Sequence, residues 1–423
     1  MDFSNKSCYI RDNGLFVELA VRMAKTFGKV YYDFPWQNAF PKSNSMLVGK
    51  GIPGVERIGP TERIKDVWEI KDEVDLFVYP DIYNPGEQTE LESQGKRVWG
   101  SRYGEELELD RIGVKKYLEK IGLAIGNYEV VEGLDALRKY LKNHDKQFIK
   151  VSTTRGDFET FYAKNYKLIE PRLDELEYVL GAKKRIMQFI VEDEIEKAVE
   201  IGYDGYTVDG QFPTKAMCGI EIKDMGYVGY FKEYKDMPKQ VLESNAKIAP
   251  ALKEYGYKNF FCMEMRITRD GTPYIIDPMT RFGSPPSELI MNMYTNLDEI
   301  LWFGAEGKCI DPIPEAKFGA ELLIHSSWAD KNWQAVEFPP EIRNNVKLRN
   351  LTIIEGKHYV VPQSVGLPEI GAVVATGDTE KEAIEKVQEL AGMIEGYSVE
   401  CYPESLDKAV EEKAKLKAFG IEI

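Results

Sequence analysis

Near the start of the chain, Leu15, Phe16, Leu19, Ala20, Met23 and Phe27 recur at three- and four-residue spacing. A period of 3.6 brings such residues onto one face, so the pattern predicts an amphipathic helix. Cys8-Tyr9-Ile10 before it and Lys29–Tyr32 after it are short apolar runs that predict strands, with Asp12-Asn13-Gly14 as turn chemistry and Gly28 as the helix stop. Asp75–Tyr79 and Lys96–Trp99 repeat the strand pattern. Strands alternating with a helix across short turns predict an open, mostly parallel sheet, Rossmann-like in its α/β order. No Gly-x-Gly-x-x-Gly loop follows the first strand, so dinucleotide binding gains no support.

From Asp110 the pattern changes. Asp110 predicts a helix N-cap, and Val114, Tyr117, Leu118 and Ile121 share one face behind it. Helices are expected over about 133–141 and 173–180, and strands over Gln147–Val151 and Arg185–Val191. Between Glu200 and Tyr230 the expectation is a run of strands with turns at Asp204-Gly205 and Asp209-Gly210. A helix near Gln240–Tyr255 leads to two strands, Asn259–Ile267 and Thr272–Asp277, joined by Arg269-Asp270-Gly271 as a hairpin. The last hundred residues form a third unit, with a strand over Gly371–Thr376 and a Thr379/Glu382 capping box ahead of an apolar stripe from Ala383 to Ile394.

Composition narrows the class. With 43% apolar and 12% aromatic residues the chain can fill a packed core, and its 423 residues suggest two to four domains. The net charge of −15 disfavours nucleic acid and anionic lipid as partners. No apolar run approaches the roughly 20 residues that span a bilayer, and the polar N-terminus does not read as a signal peptide. Five scattered cysteines read as thiols in a reducing, cytoplasmic compartment. The three histidines, His144, His325 and His358, stand beside no nucleophile, and no Gly-x-x-x-x-Gly-Lys-Ser/Thr loop is present.

The chemistry concentrates in the hairpin. Glu264 and Asp277 sit on its two arms, where antiparallel pairing can set side chains side by side. Two such carboxylates repel unless a cation lies between them, and Mg²⁺ (or Mn²⁺) commonly takes one or two carboxylates plus substrate phosphates. Arg281, shortly after Asp277, suits a transferring phosphate. On spacing alone, a solvated hairpin face with each acid paired to a neighbouring arginine is an equal reading.

The segment from Phe261 to Gly283 resembles the metal-binding end of the ATP-grasp superfamily, in which a Glu is followed a dozen residues later by Glu-x-Asn-x-Arg. Asp277-Pro-Met-Thr-Arg281-Phe-Gly is especially similar to the Glu-Phe-Asn-x-Arg-Phe-Gly segment of the phosphoribosylamine–glycine ligases. Asp277 stands for the family Glu, Met279 for its Asn, and Gly283-Ser-Pro-Pro for Gly-Asp-Pro-Glu. Upstream segments follow in family order. Asp110-Arg111 resembles the first nucleotide-contacting segment, and the strand Phe148–Val151 the one whose Lys150 reaches the ATP phosphates. Ser152-Thr-Thr-Arg-Gly156 resembles the phosphate-covering loop, and Met187-Gln188-Phe189-Ile190 the linker whose backbone reads adenine. Glu200 resembles the ribose-holding Glu, with Glu194 and Glu196 as rivals, and Lys223 a further phosphate partner, with Lys232 as the alternative. Lys115 and Lys116, by themselves, read as exposed helix residues.

The resemblance implies an ATP-grasp fold of mixed α/β and α+β class: an N-terminal domain over 1–105, a grasp domain over 106–312 with its lid at about 125–187, and a small C-terminal domain over 313–423. It implies ATP and Mg²⁺ as cofactors, small carboxylate and amine substrates, and a ligase acting through an acyl phosphate. Arg281 and Lys223 would be catalytic, Arg111, Lys150, Gln188, Ile190 and Glu200 would hold ATP, and Glu264 and Asp277 the metal. The N-terminal sheet and Ser284–Glu288 would shape the substrate pocket, and an oligomer is compatible with all of this. The altered Met279 and Gly283-Ser-Pro-Pro positions keep two alternatives open, a nucleotide-binding regulator without turnover or a different acceptor.

Overall fold

The computed structural model describes residues 1–34, 45–59, 66–151, 160–362 and 369–423. Ser152–Gly156, read as the phosphate-covering loop, lies outside them. The chain divides into two compact units, one of Met1–Glu105, Ile201–Cys262 and Met279–Ile423, the other of Glu106–Glu200 and Met263–Pro278.

In the first unit the opening residues form an all-parallel five-stranded sheet. Its spatial order is Val55–Ile58, Lys29–Asp33, Ser7–Arg11, Leu76–Val78 and Val98–Trp99. The direction of strand order reverses beside Ser7–Arg11, so the carboxyl ends of Ser7–Arg11 and Leu76–Val78 border the switch point where open α/β sheets bind ligands. Helix Val17–Met23 continues through turns to Phe27, close to the predicted extent, and buries Val17, Leu19, Ala20 and Met23. Strand Val55–Ile58 and helices Val67–Ile70 and Pro85–Ser93 had no clear periodic signal. They are short, and tertiary packing rather than propensity holds such elements.

The same unit carries an antiparallel sheet in the order Val346–Leu348, Glu369–Gly377, Phe318–His325, Gly226–Glu233 and Lys215–Ile222. Helix Glu380–Ala391 packs on it and begins as expected, with Thr379 Oγ1 accepting from Glu382 N–H at 3.1 Å. The predicted turn at Asp204-Gly205 is not there. Ala198–Val208 runs straight through it, because Tyr227 donates to the Asp204 carboxylate at 2.5 Å and turns a turn-former into a packed strand residue. The turn at Asp209-Gly210 does form, with both residues at positive φ.

In the second unit an antiparallel sheet runs Tyr128–Glu132, Gln188–Asp193, Gln147–Val151, Thr160–Ala163. Helices Leu134–Leu141 and Tyr166–Leu180 cover one face, where Leu137, Ile149, Leu173, Phe189 and Val191 are buried together. Burial of each such side chain contributes about 1.5–3 kcal/mol. The strand predicted from Arg185 starts three residues later, since the Lys183 carbonyl still accepts from Ile186 and Met187 in a closing turn. Arg269-Asp270-Gly271 forms the expected hairpin turn, with Gly271 at φ 86° and Thr268 N–H donating to Thr272 at 3.2 Å.

Candidate active site

Alternation decides which way Lys150 points. Ile149 and Val151 enter the core of the second unit, so Lys150 leaves strand Gln147–Val151 by the other face. Lys150 pairs with Ile190 and Phe148 with Glu192, which sets Glu192 diagonally across from Lys150 on that face. Lys150 Nζ lies 2.8 Å from Asp277 Oδ2 and 3.5 Å from Glu192 Oε1, and donates to the Ile276 carbonyl at 3.4 Å. Lys115 Nζ approaches the same Glu192 oxygen at 2.8 Å. Arg111 opens helix Arg111–Lys120, whose N-cap Asp110 accepts from Gly113 N–H at 2.9 Å, and its guanidinium donates to the Val151 carbonyl at 3.1 Å.

Lys150 is only 3% exposed. Burial works against its charge, but Asp277 and then Glu192 outweigh burial and hold it above the usual lysine range. The cluster of Arg111, Lys115, Lys150, Glu192 and Asp277 carries three cations against two carboxylates. That local excess of positive charge in an acidic chain suits a phosphate group. Lys115 corrects the reading of an exposed helix residue, for it is buried, whereas Lys116 is exposed as expected.

Counting back from the Thr268–Thr272 pair sets Ile276, rather than Asp277, across from Glu264. Ile275 and Pro278 are both buried although three residues apart, so the two-residue alternation slips between them. Asp277 thereby leaves the buried face, and its side chain is 31% exposed beside Lys150. Glu264 is half-buried in strand Lys258–Thr268. No group of three or more His, Cys, Asp or Glu side chains placed to hold a metal occurs among the described residues. A two-carboxylate Mg²⁺ site completed by phosphate oxygens needs no such group.

Other expected positions fall differently. Gln188 and Ile190 lie inside strand Gln188–Asp193, Gln188 paired with Glu132 and Ile190 paired on both sides, with Val130 and Lys150, so the ladder occupies the Ile190 backbone assigned to adenine. Ladder-type bonds continue through Asp193 and Glu194, which donate to the Asn127 and Lys146 carbonyls. Glu200 is exposed and lies 3.7 Å from Arg266, while Glu194 accepts from Tyr162 and Glu196 pairs with Lys146. Lys223 occupies the turn between Lys215–Ile222 and Gly226–Glu233, 85% exposed and 3.9 Å from Glu221, a poor station for gripping phosphate. Lys232, half-buried on the strand itself, is better placed.

In the first unit, Arg281 Nη1 lies 3.7 Å from buried Asp81, just past the carboxyl end of Leu76–Val78, and Phe282 N–H donates to the Pro80 carbonyl at 2.8 Å. Asp12 occupies the equivalent position after Ser7–Arg11 and accepts from Phe16 N–H and Tyr32. Neither acid stood out in the sequence, because their role depends on which strands are neighbours. Ser284 Oγ donates to Glu288 at 2.8 Å, and Arg349 donates to Glu288 at 3.2 Å and to Ser284 at 2.8 Å, so the 284–288 segment is braced by ionic and hydrogen bonds.

Burial pushes the Asp12 carboxyl up to about 6. The folded protein then binds more protons than the unfolded chain between about pH 4 and 6, so this group's contribution to stability falls as pH rises through that window. Asp12→Asn is expected to remove that slope and to raise stability at pH 7 relative to pH 4 by about 3 kcal/mol. Urea unfolding at several pH values checks it. An unchanged slope in the variant would contradict the assignment.

No protein-family model and no curated protein matches the chain in sequence. Its structure is similar to phosphoribosylamine–glycine ligase of Thermotoga maritima, with TM-score 0.66 and 17% identity over 93% of this chain and 98% of that one. It is similar to the biotin carboxylase domain of Hydrogenobacter thermophilus 2-oxoglutarate carboxylase, with TM-score 0.63 and 14% identity over 96% and 98% of the two chains. N5-carboxyaminoimidazole ribonucleotide synthetase of Thermotoga maritima aligns at TM-score 0.58 and 14% identity over 93% and 99%. The chain therefore has the ATP-grasp fold that these enzymes share.

Proposed function

We propose that the protein is an ATP- and Mg²⁺-dependent ligase that activates a carboxylate as an acyl phosphate and joins it to an amine, releasing ADP and phosphate. The observation that carries this is the contact of the buried Lys150 with Asp277, at 2.8 Å. It brings a phosphate-seeking ammonium onto the residue best suited to hold a metal. The comparisons support the reading, since the 2-oxoglutarate carboxylase domain is described in complex with MgADP, ADP and bicarbonate. The five free thiols suit a cytoplasmic, reducing compartment.

Glu264 and Asp277 are the carboxylates that would hold Mg²⁺, which when bound supplies Lewis-acid neutralisation of phosphate charge. Lys150 exchanges its contact with Asp277 for a phosphate oxygen of ATP. Lys115 and Arg111 add positive potential at the same face, and Glu192 keeps both lysines aimed. Arg281 stabilises charge on the transferring phosphoryl group while the substrate carboxylate attacks it. The amine then displaces phosphate from the acyl phosphate, and no protein nucleophile is required.

A screen for ADP release with ATP, Mg²⁺ and paired pools of carboxylates and amines, with products identified by mass spectrometry, tests this. Stoichiometric ADP, phosphate and amide are expected for one pair. Tight MgATP binding with no ADP release from any pair would instead favour a regulator that has lost turnover.

A further inference from the structure

A cavity of about 510 Å³, mostly apolar in surface but lined by several cations, lies in the first unit. Its lining includes Arg22 and Lys25, at the end of helix Val17–Met23 that feeds the start of strand Lys29–Asp33, and Ile52 and Pro53, which precede Val55–Ile58. It therefore sits at the amino-terminal edge of the parallel sheet, opposite the carboxyl ends that border the switch point. Arg343 and Lys347 complete its cationic lining.

These four cations are under-compensated. Glu18 is bound by Arg343 at 3.0 Å, and Asp298 stands 4.0 Å from Arg22. Lys25 and Lys347 both end on neutral oxygens of one residue, the Asn344 side chain at 2.7 Å and its carbonyl at 2.9 Å. Lys347 is 3% exposed, and burial first, then Arg343, Lys25 and Arg22 against Glu18, takes its ammonium down to about 7. Burying a lysine without a carboxylate is costly, and a cavity that does so is built for a negative charge brought from outside. His358, on the same wall, is also held below its usual range by burial and then by Arg343, so it adds no fixed charge of its own. Val21 and Ile353 give the cavity an apolar side, and its volume falls within the usual range of small-molecule sites.

We infer that this cavity is a binding site for a small phosphorylated ligand, separate from the proposed ATP site, with Lys25, Arg343 and Lys347 as its phosphate donors. Guanidinium and ammonium groups converging beside an apolar wall match a phosphate ester with an organic body.

Thermal unfolding of the full chain in pyrophosphate without Mg²⁺, against chloride at equal ionic strength, tests it. A saturable rise in Tm of about 5 °C at a hundred times Kd is expected. Lys347→Met should weaken that response at least tenfold while leaving the ligand-free Tm unchanged or higher, because an uncompensated buried charge is removed. Lys25→Met, at an exposed position, should weaken it as well with little effect on folding. Lys150→Met should leave the response intact. Absence of any saturable rise in the unmodified protein would overturn the inference. So would a response that survives Lys347→Met and Lys25→Met, or one lost in Lys150→Met, which would move the ion to the nucleotide site. Citrate in place of pyrophosphate separates phosphate recognition from general anion binding, and an equal response to it would overturn the phosphate assignment.

Discussion

Asp277→Asn should lower the rate of ADP release about a hundred- to a thousandfold, with the fold intact. The substitution keeps the size of the side chain and leaves an oxygen for Lys150, now 2.8 Å from the carboxylate, but removes the charge that a divalent cation requires. Removing one fixed electrostatic partner of a transition state commonly costs 10²–10³ in kcat. The loss should appear in kcat at saturating Mg²⁺, and partial recovery with excess Mn²⁺ would fit a weakened metal site. Unchanged turnover in a folded Asp277→Asn protein, measured by coupled ADP assay and circular dichroism, would remove Asp277 from the chemistry. The solvated-hairpin reading would then stand.

The largest effect on stability is expected at Glu192. Its carboxylate lies 2.8 Å from Lys115 and 3.5 Å from Lys150, and both lysines are buried. Lys150 retains Asp277 when Glu192 is lost, whereas the ion pair that faces Lys115 disappears. Breaking a buried ion pair from one side costs about 3–5 kcal/mol, because the remaining charge keeps its desolvation penalty without its partner. Glu192→Leu should therefore destabilise the second unit by that amount. Hydrogen exchange should accelerate in Tyr128–Glu132, Gln147–Val151 and Gln188–Asp193, the strands around it, and leave the parallel sheet of the first unit unaffected. Combining Glu192→Leu with Lys115→Met should recover most of the loss, since the stranded charge goes too. A loss below about 1 kcal/mol for Glu192→Leu alone would mean that water already reaches Lys115.

Local signals carried far in this chain. The parallel order of the first sheet follows from apolar runs separated by one clear helix, and Gln147–Val151 was legible because its five residues are bounded by polar and small residues on both sides. Asp110, Thr379 and Arg269-Asp270-Gly271 announced a cap, a capping box and a hairpin turn, each set by bonds within a few residues. Family order singled out Lys150 and Asp277, which the fold then placed in contact.

What sequence could not supply were relations between elements. Glu192 drew no reading from the sequence, and only the pairing of Gln188–Asp193 with Gln147–Val151 sets it diagonal to Lys150. Lys115 read as solvated because a helix pattern does not reveal what covers its other face. Ile190 read as a free linker, but a strand on each side consumes its backbone groups. Asp204-Gly205 read as a turn, and packing under Tyr227 overrode it. The chain by itself thus determined its periodicities, caps and turns, because these depend on interactions spanning a few residues. Only tertiary structure decided which charges meet, which lysines are buried and where positive charge gathers, because strand register and packing bring together residues more than a hundred positions apart.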